Sequence, residues 1–229
     1  MSRRLWPAVL ALCLVLVVAP LAWVSCTSDY EEADGASAPA YVEVTEYEGR
    51  DLSSIDDFRE NSIKGPQYVD LDSYRLQVTG LVERPASYSF DEVVEGFTAY
   101  EKVVTLHCVE GWSAAILWEG VRLRDLIEVA GPTLEAEVAI FHAYDGYTTA
   151  LPLGYLVEQD IIMAHKMNGV LLPPERGAPF QLVAESKWGY KWIKWVTEIE
   201  LSADGDYKGF WERVGYSNSA NEMEPFFDR

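Results

Sequence analysis

The segment Leu106-His107-Cys108-Val109-Glu110-Gly111-Trp112-Ser113 brings a thiol, an imidazole and a carboxylate close together along the chain. Only two other cysteines exist, Cys13 and Cys26, and both lie in an apolar N-terminal stretch. The body therefore carries one thiol with no disulfide partner inside it. A lone cysteine is by default a small buried hydrophobe. Three chemistries compete with that default. Cys108 could act as a nucleophile with a histidine as its base. His107 and Cys108 could contribute two zinc ligands, although adjacent residues alternate faces on a strand, and His107, His142 and His165 lack zinc spacing. Cys108 could also ligate a soft, high-valent metal held in a cofactor, which would then supply the redox chemistry. No glycine-rich phosphate loop opens a long helix, and no Gly-x-Ser-x-Gly elbow is present. There is also no Cys-x-x-Cys-His haem motif.

The chain has 229 residues, 49% of them apolar and 13% aromatic, which suffices for one domain with a full core. Its formal net charge of −19 disfavours nucleic acid as a partner. An acidic body suits an exported, soluble protein or a basic protein partner, and it repels small anions. Met1 to Trp6 is basic and Pro7 to Val24 almost wholly apolar, so residues 1–26 read as a signal peptide or a membrane anchor. Ser2-Arg3-Arg4 resembles a twin-arginine signal, and Val24-Ser25-Cys26 a lipobox that would make Cys26 a lipidated first residue. Residues 27–50, rich in Asp, Glu, Ser and Ala, are expected to form an acidic flexible tether. Residues 51–205 form the expected domain, and residues 206–229 an aromatic tail packed on it.

The elements that would position Cys108 follow from periodicity and turn chemistry. Tyr74 to Gly80 alternates and ends in glycine, a strand pattern. Ser89-Phe90-Asp91-Glu92 is a capping box opening a short helix. Glu101 to His107 is a β-rich run that delivers Cys108. Leu123 to Ala130 has helical spacing and stops at Gly131-Pro132. Glu137–Ala143 and Tyr147–Leu151 flank the turn dipeptide Asp145-Gly146, and Leu153–Val157 is a short helix. Ile161–Lys166 and Val170–Leu172 flank Asn168-Gly169, and Pro173 to Pro179 is an ordered loop. Phe180–Ala184 and Lys191–Leu201 complete the expected strands. The fold class is α+β, a mixed sheet with short helices in a single domain.

Several of these segments, taken together, resemble one known family. Cys108-Val109-Glu110-Gly111-Trp112-Ser113 and then Trp118-Glu119-Gly120-Val121 look like the molybdenum-cysteine segment of sulfite-oxidase-type molybdopterin oxidoreductases. Met167-Asn168-Gly169, Leu172-Pro173, Gly177-Ala178-Pro179 and Leu182-Val183 form a second similar block. Trp188-Gly189-Tyr190-Lys191-Trp192-Ile193-Lys194-Trp195 is a third, and Asn61 ahead of Tyr74-Arg75-Leu76 a fourth. The blocks occur in the family's order across residues 58–201. The small haem-free bacterial members, which include the catalytic subunit of the periplasmic methionine-sulfoxide reductase, are the most similar.

The resemblance implies a molybdenum-molybdopterin cofactor, without haem, whose metal takes Cys108 as its protein ligand. It places Asn61, Lys64, Gly65, His142, Arg176, Gln181, Trp192, Ile193 and Lys194 around the pterin, with Lys194 meeting its phosphate or the oxygens beside the metal. Strand alternation would set Trp192 and Lys194 on one face and Ile193 and Trp195 on the other. Relatives carry Asn or His before Gly-x-Pro and Arg two residues after that Pro; here Arg176 and Gln181 stand at those places. Glu110, two residues past the ligand, is a candidate to relay protons or repel an anion. With no arginine cluster to hold sulfite, the expected reaction is oxygen-atom transfer that reduces a neutral sulfoxide or N-oxide. Electrons would come from a membrane redox partner, and the protein would be extracytoplasmic and tethered through its N-terminus. The alternatives are sulfite-oxidase-like oxidation and a non-catalytic acidic lipoprotein binding module on the same fold.

Overall fold

A computed structural model describes residues 42–228. The expected leader and the first part of the tether lie outside these residues. Among the described residues no helix is long and apolar enough to cross a membrane. Residues 43–50, expected to belong to the tether, are instead pinned to the body. Strands β1 (Glu46–Tyr47) and β2 (Arg50–Asp51) form a small hairpin. Ahead of it, the Glu43 carboxylate accepts from Ser54 Oγ, Ile55 N and Asn168 Nδ2 at 2.9, 2.9 and 3.1 Å. An acidic residue read as solvated is thus a hydrogen-bonding hub, which composition does not reveal.

Two five-stranded sheets share one core. After the hairpin come β3 (Leu76–Gly80), β4 (Ala86–Tyr88) and helix α1 (Phe90–Gly96). The expected capping box is present: Glu92 N donates to Ser89 Oγ at 3.2 Å, and Ser89 N donates to Glu92 Oε2 at 2.7 Å. Then come β5 (Ala99–His107), β6 (Ser113–Arg122) and helix α2 (Leu123–Ala130). Next are β7 (Val138–Ala143), β8 (Thr148–Pro152), helix α3 (Leu153–Glu158), β9 (Ile162–Met167) and β10 (Val170–Leu171). Strands β11 (Gln181–Val183) and β12 (Val196–Ser202) close the series. One sheet runs β10-β9-β6-β5, with β11 also on β9, and is antiparallel throughout. The other runs β4-β3-β12-β7-β8, with β12 parallel to β3 and its remaining pairs antiparallel.

The longest strand, β6, was not legible in the sequence. Its residues Ala114, Ile116, Leu117, Trp118, Val121 are buried on both faces, so the run lacks the alternation that marks a half-exposed strand. Gly120 within it is dictated by packing: a Cβ there would lie 2.1 Å from Met163 O of β9. Trp118 is fully buried, and its Nε1 donates to Val104 O at 3.2 Å. It joins Leu123, Leu126, Met163, Phe180, Val196 and Ile199 in one apolar cluster drawn from both sheets and α2.

The expected strand Lys191–Leu201 is only half strand. Residues Gly189–Lys191 form a 3-10 turn, Trp192 to Trp195 are irregular, and pairing begins at Val196. Trp195 has φ +55°, which breaks any pleat. The expected alternation of faces across Trp192–Trp195 therefore does not exist. The tail winds back over this turn: Trp188 N donates to Ala220 O at 2.8 Å, and Tyr190 Oη to Ser217 O at 2.8 Å.

Candidate active site

Cys108 begins the five-residue connection between β5 and β6, whose register runs from Ala99–Val121 to His107–Ser113. Its N–H donates to Trp112 O at 2.9 Å, and its carbonyl accepts from Gly111 N at 3.0 Å. Gly111 takes φ +89°, so a residue without a Cβ relieves the strain of closing this turn. The fold thus puts a thiol where two strands end and backbone N–H groups converge.

The thiol is 8% exposed and unpaired with any other cysteine. Burial pushes its pKa up; the Glu110 carboxylate adds to this, while the N–H groups of Glu110 and Val109 and the Asn61 amide act the other way. Asn61 Nδ2 lies 3.6 Å from Cys108 Sγ. A thiol held protonated by burial yet ringed by donors is a poor free nucleophile and a good metal ligand, because a bound cation removes the proton outright.

Cys108 lines a cleft of about 490 Å³. One wall is the segment Phe58 to Ile63; another is Tyr190 and Trp192 to Trp195; Trp211 and Tyr216 of the tail form a third. Of the residues expected at the site, Cys108, Glu110, Asn61, Gly65, Arg176, Gln181, Trp192, Ile193 and Lys194 all line it. Trp192, Ile193 and Lys194 do so in succession because the chain there is coiled; a pleated strand would have turned Ile193 away.

Lys64 and His142 are placed differently from expectation. Lys64 reaches the Asp145 carbonyl with its Nζ and does not itself line the cleft. His142 on β7 pairs with Glu200 Oε2 of β12 at 2.9 Å, away from the cleft. Its position in a ladder between two strands makes it a cross-strand partner, and it is not among the residues that line this cleft.

The cations of the cleft are all engaged. Arg176, 8% exposed, donates through Nε to Ile55 O at 2.8 Å and through Nη2 to Phe58 O at 2.6 Å, and its guanidinium lies 4.0 Å from the Phe58 ring centroid. Arg59 approaches Glu110 at 3.9 Å. Lys194 pairs with Glu60, donates to Glu175 O at 3.3 Å and lies 4.4 Å from the Trp195 ring centroid. Burial lowers the Lys194 pKa, and the Glu60 carboxylate opposes that shift. Glu110, half-exposed at the mouth, also accepts from Trp112 Nε1 at 3.4 Å.

Several lining residues went unnoticed in the sequence. Arg59 and Glu60 immediately precede Asn61 and could have been found from that adjacency. Tyr147 carried no signal, and Tyr190 lay in the third block without a role; the Tyr147 hydroxyl donates to Tyr190 O at 2.6 Å, and burial raises both phenol pKa values. Among the described residues no cluster of three His, Cys, Asp or Glu that could hold a metal ion is present.

The cleft brings together a buried thiol, cationic and amide side chains and aromatic walls, a lining suited to a large organic cofactor. Residues 63–211 match the family described as oxidoreductase molybdopterin binding domain, and the chain belongs to that family of enzymes. It is 40% identical over 152 residues to the "Uncharacterized oxidoreductase YuiH" of Bacillus subtilis, covering 66% of this chain and 76% of that protein. It is 30% identical over 172 residues to the protein-methionine-sulfoxide reductase catalytic subunit MsrP of Xanthomonas campestris, covering 66% of this chain and 53% of that one. The chain thus spans about half the length of the reductase subunit it matches. The fold is shared with the sulfane dehydrogenase SoxCD of Paracoccus pantotrophus, with a TM-score of 0.59, 22% identity and coverage of 66% of this chain and 42% of that chain.

Proposed function

We propose that this enzyme is an exported molybdopterin oxidoreductase that reduces a neutral sulfoxide or N-oxide, with Cys108 as the protein ligand to molybdenum. When bound, the cofactor supplies the two-electron redox centre at which an oxygen atom is transferred. The observation that carries the reading is the Cys108 thiol in the cleft wall, with the Asn61 amide 3.6 Å from its sulfur. The residues present suit the group: sulfur for a soft metal, Arg176, Lys194 and Gln181 as donors to an anionic tail, and Trp192 and Trp195 as apolar walls.

The chain's own residues would divide the remaining work. Asn61 and the N–H groups of Val109 and Glu110 orient the sulfur and favour its ionised form. Glu110, half-exposed at the mouth, is placed to hand a proton toward a substrate oxygen. Phe58, Trp112, Trp211 and Tyr216 exclude water and favour an apolar substrate body. The pairing of Arg59 with Glu110 and of Lys194 with Glu60 supports a neutral substrate over sulfite. MsrP is named a protein-methionine-sulfoxide reductase subunit, which supports a sulfoxide. The basic and apolar N-terminus, with Ser2-Arg3-Arg4 and Cys26, supports folded export and a membrane tether.

The test is elemental analysis and pterin fluorescence of the protein made in a molybdopterin-competent host, beside Cys108→Ser, followed by a sulfoxide and N-oxide screen with a viologen donor. Near-stoichiometric molybdenum, lost thiolate-to-metal absorption in the variant, and turnover only in the parent are expected. A fully metallated protein that reduces no sulfoxide or N-oxide would defeat the reductase reading, and well-folded protein without molybdenum or pterin would defeat the cofactor reading.

A further inference from the structure

Lys194 is held inside the cleft by a carboxylate of the chain itself. Its Nζ pairs with Glu60 Oε1; the two side chains are 13% and 23% exposed. The other groups around the amine are the Glu175 carbonyl, the Trp195 ring, the Arg176 guanidinium, which repels it, and the Asp145 carboxylate, which attracts it. Among the described residues Glu60 is the one carboxylate bonded to it. The segment that carries Glu60 is in turn fastened by Arg176, through the carbonyls of Ile55 and Phe58. The residue after Glu60 is Asn61, whose amide reaches Cys108. A single stretch, residues 58–61, therefore connects the cation at one place in the cleft with the sulfur at another.

We propose that Glu60 is a built-in, exchangeable counter-ion of Lys194, which the phosphate of the cofactor replaces when it binds, and that this exchange is felt at Cys108 through Asn61. The inference rests on the molybdopterin reading above. An ammonium cannot give its full strength to two anions at once, so a ligand phosphate competes with the Glu60 carboxylate for the same donor. A phosphate brings more charge and more acceptor oxygens than a carboxylate, which lets it win where a singly charged oxyanion does not. The exchange costs little backbone strain, because the residues on either side of Glu60, Arg59 and Asn61, are exposed while Arg176 keeps Ile55 and Phe58 in place. Glu60 would thus be a positioning residue that sets how tightly, and for which anions, Lys194 is available.

The experiment uses the full chain from a host unable to make molybdopterin, titrated with inorganic phosphate by calorimetry. Glu60→Gln is expected to bind phosphate roughly tenfold tighter than the parent, the effect of releasing one pairing interaction of moderate strength. Glu60→Asp, which keeps the charge, should stay near the parent. Lys194→Met should abolish binding in either background. Phosphate should also change the rate at which iodoacetamide alkylates Cys108 in the parent, read by peptide mass spectrometry, with no such change in Lys194→Met. Near-ultraviolet circular dichroism selects folded variants. Equal or weaker phosphate binding by folded Glu60→Gln overturns the proposal, as does the absence of binding in every variant. Molybdenum and pterin content of the parent from a competent host separates the two failures. A loaded parent with an unaltered Glu60→Gln sinks the exchange alone; an unloaded parent sinks the cofactor reading beneath it.

Discussion

Two lysine–glutamate pairs leave the same short stretch of chain and meet opposite fates. Lys191 and Glu212 are both fully buried; Lys191 also donates to Ala150 O at 3.0 Å and Asn218 Oδ1 at 3.3 Å, and Thr149 Oγ1 donates to Glu212 Oε1 at 2.7 Å. Lys194 and Glu60 face the cleft and keep some contact with solvent. Burial lowers the pKa of both lysines and a glutamate opposes it in both. Only the surroundings differ. The first pair is enclosed by carbonyls and the tail, so neither charge can find another partner. It locks the tail segment bearing Trp211 and Tyr216 against the turn that leads into Trp192–Trp195. The second is open to whatever enters the cleft. One ion pair fixes the shape of the site and the other is part of its chemistry.

The largest expected effect separates the pairs on stability. Glu212→Ala leaves Lys191 buried without its counter-ion and should cost about 3–5 kcal/mol in urea unfolding. A loss below about 1 kcal/mol would mean that water reaches the amine, and the contrast would fail. The double variant Lys191→Met, Glu212→Leu should recover much of that loss, because an apolar pair of similar size avoids the desolvation of two charges; no recovery would assign the cost to packing. Next in size, Glu60→Gln should change stability by no more than about 1 kcal/mol in the same assay, since its pair is partly solvated. A larger loss would make both pairs structural. A finer distinction comes from following the lysine side-chain resonances by NMR during a phosphate titration. The Lys194 signal should move and the Lys191 signal stay. The smallest effect concerns the Cys108 sulfur. Burial raises the Cys108 pKa, so its alkylation rate should climb with pH to a midpoint above the ordinary thiol value of about 8.5. Asn61→Ala, which removes a donor that favours the thiolate, should push that midpoint higher still; a lower midpoint would mean that Asn61 does not act on the sulfur.

Much of the cleft could be read from the sequence because its chemistry is local. Cys108, Glu110 and Trp112 share one turn, and Trp192, Ile193 and Lys194 share another. The capping box at Ser89 and the helix ending at Gly131 were legible for the same reason, since a cap is a matter of a few adjacent residues. Where legibility failed, the cause was contact with distant chain. Strand β6 hides its period because both faces are covered. The expected strand at Lys191 is interrupted because the tail pulls Tyr190 and Lys191 out of the sheet through Ser217, Asn218 and Glu212. His142 went to Glu200 because β12 lies beside β7, a neighbour relation set by topology.

By itself the sequence determined the α+β class, the lone thiol of the body and the ordered blocks that mark a molybdopterin oxidoreductase, because these depend on residue type and short-range spacing. Only the tertiary structure decided which charges meet. Glu60 and Lys194 are separated by most of the chain, as are Arg176 and the carbonyls of Ile55 and Phe58. Whether a lysine is a buried strut or an available donor is fixed by how much water and which acceptors surround it. That is a property of the packed whole, and Lys191 and Lys194 show it within a single turn of chain.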